Sequence, residues 1–183
     1  MDRLPSASTG EFIGRDTVRF TRRLPGPVER VWACLTESEK RRKWLARGTM
    51  ELFVGGRVEL HFLHSELSRR AEIAPEKYRD MQNGCVLRGR VLRCEPPRLL
   101  AFTWGDGATP SEVTFALAPH GRDATLLTLT HRRLSRTDMA SVASGWHTHL
   151  GILADHLDDF PAAPFWATHA KWEGEYARLL GAP

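Results

Sequence analysis

Residues 24–62 read LPGPVERVWACLTESEKRRKWLARGTMELFVGGRVELHF, and the order of breakers and apolar positions in this stretch leaves few folds open. Pro25, Gly26 and Pro27 end an extended run, and a proline at the first helical position is pre-organised for the turn that follows. Val28, Val31, Trp32 and Leu35 then fall at i, i+3, i+4 and i+7, one apolar stripe on a two-turn helix. Thr36 and Glu39 have the spacing of a capping box, which predicts a second short helix running through Trp44 and Leu45. Gly55 and Gly56 return the chain to strand. Helices this short are marginal alone in water, so the segment demands a sheet to cover their apolar faces.

That sheet is predicted on both sides of the helices. From residue 17, Val18 and Phe20 alternate with polar neighbours at the strand period of two. Downstream, residues 49–53, 57–63, 86–94, 99–104, 112–117 and 124–131 read as strands, with Gly55-Gly56 as a tight hairpin and Pro96-Pro97 between two of the others. Joined mainly by short turns, they make an antiparallel meander, for a sheet of about seven strands. Residues 64–84 form a long connection for a compact domain, a length that marks either a functional segment across a cavity mouth or a mobile one.

After Ser135 and Thr137, both suitable N-caps, Ala143, Trp146, Leu150, Leu153 and Leu157 share one face of a helix over 138–158. Such a helix is roughly 30 Å long, enough to cross a curved sheet. A Pro-Ala-Ala-Pro break follows, then a terminal helix over 165–180 with Phe165, His169, Trp172 and Tyr176 along one side. Residues 1–16 show no sustained periodicity and read as a flexible N-terminal arm. The remainder, 17–183, reads as one α+β domain with its core in 17–158 and the terminal helix as an addition.

This element order resembles the helix-grip fold of the SRPBCC superfamily, shared by Bet v 1-like, START and polyketide-cyclase proteins. Three stretches carry the likeness further, to the branch of activator of Hsp90 ATPase homologue 1-like (AHSA1-like) proteins. They are Pro27, Val31, Trp32 and Leu35 followed by Trp44; Gly55-Gly56-Arg57 with Gly89, Val91 and the run Glu95 to Leu100; and Leu129-Thr130-His131 with Gly145-Trp146. The resemblance implies a bent sheet wrapped around the long helix, with a cavity between them. The long 64–84 connection and the helix over 165–180 depart from a minimal member and are placed to modify the pocket or make an interface.

Ligand cavities are mostly apolar with a few placed polar groups. Strand parity puts Val58, Leu60 and Phe62 on one face, as it does Leu100, Phe102 and Trp104, and Val113, Phe115 and Leu117. Trp44, Phe62, Phe102, Trp104, Phe115, His131, Trp146 and Leu150 are therefore the cavity candidates. For each the plainer alternative is core packing, because residues of these types dominate interiors anyway. His131 shares the parity of Leu127 and Leu129 and should point inward, either satisfied by the protein or in contact with a ligand.

Several function classes are disfavoured. The net charge of +4 is spread over separate short arginine clusters with acidic neighbours and no accompanying motif, so no nucleic-acid face is predicted. Three cysteines without a CxxC pair suggest neither a disulfide framework nor a thiolate metal site. His147 and His149 are about 200° apart around a helix and no zinc-spaced pair occurs, so no metal or other cofactor is predicted. Glu112 and Glu59, the carboxylates nearest His131, fall on the opposite face by parity, and no catalytic group is assigned. No apolar leader or membrane-length run appears, which predicts a soluble, cytoplasmic protein without a membrane partner.

The leading expectation is non-enzymatic binding of a small lipophilic or aromatic molecule inside the cavity. The resemblance implies a chaperone-linked interaction module as the alternative. Full activators carry a separate N-terminal domain for which 183 residues leave no room beside this fold, so direct stimulation of an Hsp90-type chaperone is not expected. A cavity enzyme of the cyclase or hydrolase type is the third reading. Phe165, Trp166, Trp172 and Tyr176 give the terminal helix more aromatic surface than a capping helix needs, which suggests a homodimer.

Overall fold

The computed structural model describes residues 8–181. Its elements are β1 Glu11–Ile13, β2 Thr17–Pro25, α1 Val28–Thr36, α2 Ser38–Arg41, β3 Arg57–Phe62, β4 Cys85–Glu95, β5 Leu99–Trp104, β6 Ser111–Pro119, β7 Ala124–Arg132, α3 Met139–Leu157 and α4 Phe165–Leu179. The strands form one antiparallel sheet in the order β1-β2-β7-β6-β5-β4-β3. This is the curved helix-grip sheet, with α3 against its inner face. Val18, Phe20 and Leu24 of β2, Val113, Phe115 and Leu117 of β6, and Leu127 and Leu129 of β7 are all buried there, as strand parity requires.

The seven strands are not the seven the sequence suggests. Residues 49–53 contribute only the isolated bridge Met50↔Val58, because the chain curls on itself: Phe53 N–H bonds the Glu51 carbonyl and Gly56 N–H that of Phe53. Gly55 and Gly56 dock instead on Val91 of β4 through hydrogen bonds of 2.8 and 2.9 Å. The missing strand is β1, taken from the stretch read as a loose arm; Glu11–Ile13 pairs with Thr17–Arg19. Residues 1–7 of that arm lie outside the described residues.

The capping box is also replaced. Thr36 turns its hydroxyl back to the Trp32 carbonyl at 2.9 Å, Glu37 takes the N-cap position of α2, and α2 stops at Arg41. The fully buried Arg41 holds this corner. Its guanidinium donates to the carbonyls of Leu35 and Thr36 at the end of α1 and to those of Ala46 and Gly48 in the loop after α2. Gly48 is required there: its φ is +126°, and an added Cβ would lie 2.0 Å from the Glu59 carbonyl oxygen. Gly48→Ala is expected to cost about 3 kcal/mol in urea unfolding, whereas the same change at the open Gly107 should cost less than about 1.

Helix α3 is buried almost all round, beyond the one stripe expected, because α4 covers its second side. Ser144 Oγ donates to the His169 carbonyl at 2.5 Å and His147 stacks on Trp172 at 3.6 Å between ring centres. Tyr176 closes this layer. Its hydroxyl accepts from Gly10 N–H at 2.8 Å and lies 2.7 Å from His147 Nδ1, so one phenol ties β1, α3 and α4 together. Phe165, Trp166 and Tyr176 are thus buried and Trp172 half-buried within one chain. These rings are turned mainly into the chain, against α3, β1 and residues 63–84, rather than outward.

Candidate functional site

One end of the sheet is not filled. A cavity of about 470 Å³ lies among the end of β3, the starts of β4 and α4, the end of β5, the first half of α3 and residues 63–84. It opens to solvent past Met81 and Val86, which are exposed. The wall is aromatic: Phe62 and Trp104 are 5.8 Å apart between ring centres, and Trp104 and Trp146 5.1 Å. Opposite them Tyr78 stacks on Trp166 at 5.3 Å and His64 on Phe165 at 4.1 Å.

Residues 63–84 carry two short 3₁₀ turns, His64–Glu66 and Glu76–Met81, which bring His64, Tyr78 and Met81 to the wall. Two carboxylates, Glu72 in this connection and Glu173 on α4, tie the two segments together. Glu72 accepts the backbone N–H groups of Trp166 and Ala167 at 3.1 and 3.0 Å, where the helix has unsatisfied donors and a positive dipole end. Glu173 accepts from Tyr78 Oη at 2.7 Å and from Lys77 Nζ at 2.5 Å. Burial and the bond to Glu173 push the Tyr78 phenol up to about 12, so it stays protonated and donating.

Of the eight residues singled out by sequence, Phe62, Trp104 and Trp146 line this cavity. Trp44, Phe102, Phe115 and Leu150 lie instead in the solid core beside it, with Trp44 edge-on to Phe115 at 6.4 Å. Parity selects the inner face but not the position along it, and the middle of that face is packed while the end is open.

His131 is also outside the lining. It is fully buried, accepts Trp146 Nε1–H at Nδ1 over 2.9 Å and donates Nε2–H to Ser111 Oγ at 2.8 Å. Both nitrogens are taken, burial pushes its pKa down to about 3, and its role is to position Trp146. Glu112 and Glu59 lie on the outer face as parity indicates, Glu112 paired with Arg132 and Arg133, Glu59 with His61 and Arg88.

The polar groups at the inner end are ones the sequence reading missed. His64, His149 and His169 are all buried and all line the cavity. His149 lies one helical turn beyond Trp146, which was the available signal; His64 and His169 reach the site only through long-range packing. Burial lowers all three, His64 to about 4 and His149 to about 3, so they are neutral imidazoles at physiological pH. Phe165 packs on both His64 and His149, whose own rings lie 5.6 Å apart between centres. Among the described residues no cluster of three or more His, Cys, Asp or Glu side chains is arranged to hold a metal ion, and no helix is long and apolar enough to cross a membrane.

The same architecture is found in known structures. A Bordetella parapertussis protein solved by NMR is 43% identical, with a TM-score of 0.77 over 97% of this chain and 95% of its own. CalU16 from Micromonospora echinospora is 24% identical, with a TM-score of 0.65 over 94% of both chains. DynU16, a protein of the dynemicin biosynthetic locus, is 22% identical, with a TM-score of 0.59 over 82% of this chain and 51% of its own. These two likenesses show the fold. No curated protein matches the chain. The sequence profile of the activator of Hsp90 ATPase homologue 1-like proteins matches residues 25–158, from the end of β2 through α3, and the chain belongs to that family, within the SRPBCC superfamily.

Proposed function

We propose that this protein binds a small, largely apolar aromatic molecule in the cavity between the sheet end, α3 and α4. The supporting observation is the cavity itself, about 470 Å³, walled by Phe62, Trp104, Trp146, Phe165 and Trp166 and open past Met81 and Val86. That volume falls in the range of small-molecule sites, and an apolar wall with a few inward polar groups is the usual composition of one. The position of DynU16 in a biosynthetic locus agrees with a small organic molecule as the ligand of this fold.

A ligand that binds only the native state at about 100 times its Kd adds about 2.7 kcal/mol. For a chain of this size that raises the melting temperature by roughly 5–10 °C. Thermal melts against bicyclic and tricyclic aromatics are therefore expected to show shifts of that order, abolished by Trp104→Asp, which places a charge on the wall. A panel without any shift overturns the reading.

The same three histidines favour a second reading, a cavity enzyme acting by proton transfer. His64, held at about 4, and His149, held at about 3, are weak bases, which ranks it below binding. Mass spectrometry of a bound compound after long incubation separates the two: an altered mass favours the enzyme.

A further inference from the structure

Of the three imidazoles on the cavity wall, two have proton positions that follow from what surrounds them. His149 points Nδ1 at the Trp44 carbonyl, 2.7 Å away, and a carbonyl only accepts. Nδ1 therefore carries the proton and Nε2 of this neutral ring presents a bare lone pair. His64 is in the opposite state. Its Nδ1 is sealed from solvent with no hydrogen-bond partner, and the residue is only 7% exposed. A sealed lone pair is tolerated far better than a sealed N–H, which puts the His64 proton on Nε2, the nitrogen that is not sealed. The two rings lie 5.6 Å apart between centres, and His64 is clamped flat against Phe165, 4.1 Å away, with Phe62 on its other side at 5.9 Å. One donor and one acceptor thus stand side by side at the end of an aromatic slot.

We propose that the ligand carries a hydroxyl group on its aromatic ring, which accepts from His64 Nε2–H and donates to His149 Nε2. This rests on the binding reading above and specifies the chemistry of the same site. A hydroxyl supplies both roles without charge. An ether oxygen accepts but cannot donate, so it leaves the His149 lone pair unmatched. A carboxylate accepts only and brings an anion to two neutral rings, where its desolvation is uncompensated. Phe165 and Phe62 fix the plane of His64, so the ring that bears the hydroxyl enters the slot edge-first between Trp104 and Trp146 on one side and Trp166 on the other.

Titration calorimetry of the purified full chain with 2-naphthol, naphthalene, 2-methoxynaphthalene and 2-naphthoate tests this. The expected result is 2-naphthol binding about tenfold or more tightly than each of the other three, the scale set by leaving a buried polar group unmatched. In His64→Phe, which keeps a flat ring against Phe165, the preference for 2-naphthol over naphthalene should fall about tenfold. Equal binding of naphthol and naphthalene overturns the hydroxyl assignment and leaves the cavity reading standing. No binding by any of the four overturns both. Naphthoate binding most tightly, or a naphthol preference unchanged in His64→Phe, also overturns it. The wild-type protein gives an independent check should the variant not fold: saturating 2-naphthol should move the imidazole ¹⁵N resonances of both His64 and His149, and stationary signals overturn the proposal.

Discussion

Arg41→Ala is expected to be among the most damaging single changes in this chain, lowering stability by about 4 kcal/mol or more. Arginine side chains are almost never fully buried without a carboxylate, yet Arg41 is 1% exposed and its partners are four main-chain carbonyls. Its burial is opposed strongly enough to bring the guanidinium down to about 10, still well above any working pH. The positive charge is balanced by carbonyl dipoles from the end of α1 and from residues 46 and 48, so the side chain acts as a C-cap delivered from the next helix. Truncation leaves those carbonyls sealed without donors, each a penalty of about 1–3 kcal/mol, and opens a void beside Trp44. Urea unfolding followed by tryptophan fluorescence should show a midpoint far below that of the native chain with little change in slope. Arg41→Lys keeps the charge but cannot span four acceptors and should recover less than half of the loss. An unfolding free energy within about 1 kcal/mol of the native value for Arg41→Ala would refute this account of the corner.

The second large effect is a steep loss of stability on mild acidification. His131, His147 and His149 are held at about 3 and His64 at about 4, in every case chiefly by burial. In the unfolded chain a histidine titrates near 6.5. Above that value both states are neutral and these residues contribute no pH dependence. Between about 6.5 and 4 the unfolded chain binds protons that the folded chain refuses, so stability falls as pH falls. Each histidine contributes about 1.4 kcal/mol per pH unit, and four together about 5.5 kcal/mol per pH unit, so one unit of acidification is comparable with the total stability of about 5–15 kcal/mol for a typical domain. Unfolding is therefore expected between about pH 6 and 4, before most carboxylates titrate. His131→Gln, able to accept from Trp146 and donate to Ser111, should reduce the slope of stability against pH by about a quarter. Constant stability from pH 7 to 5 in urea melts would exclude the mechanism.

Much of the fold is legible in the sequence because it follows from local alternation. Val18 and Phe20, Leu127 and Leu129, and Val113, Phe115 and Leu117 each declare an inner face by period two, and the stripe from Ala143 to Leu157 declares α3. What escaped was decided by competition for backbone groups. Thr36 has a capping spacing, but its hydroxyl bonds within α1 and the free carbonyls there go to Arg41. Residues 49–53 have strand character, but the glycine pair binds Val91 instead of extending the ladder. Glu11–Ile13 carries almost no strand signal and pairs because β2 has a free edge and Tyr176 holds Gly10. The candidate site was legible only in part for a related reason. Phe62, Trp104 and Trp146 are readable from their own elements, whereas His64, Tyr78, Trp166 and His169 meet them only after residues 63–84 and α4 have been folded onto the sheet.

The carboxylates of Glu72 and Glu173 give this arrangement one more meaning. They are the clamps between residues 63–84 and α4, and α4 lies beyond the stretch that defines the family. Neither piece has a sufficient partner without the other: remove α4 and Tyr78, Glu72 and His64 face water; remove the connection and the start of α4 has no cap. The two segments therefore hold one another in place against the end of the sheet. Exchanging either one alone would break the clamps, and exchanging both would still have to restore the packing of α4 on α3.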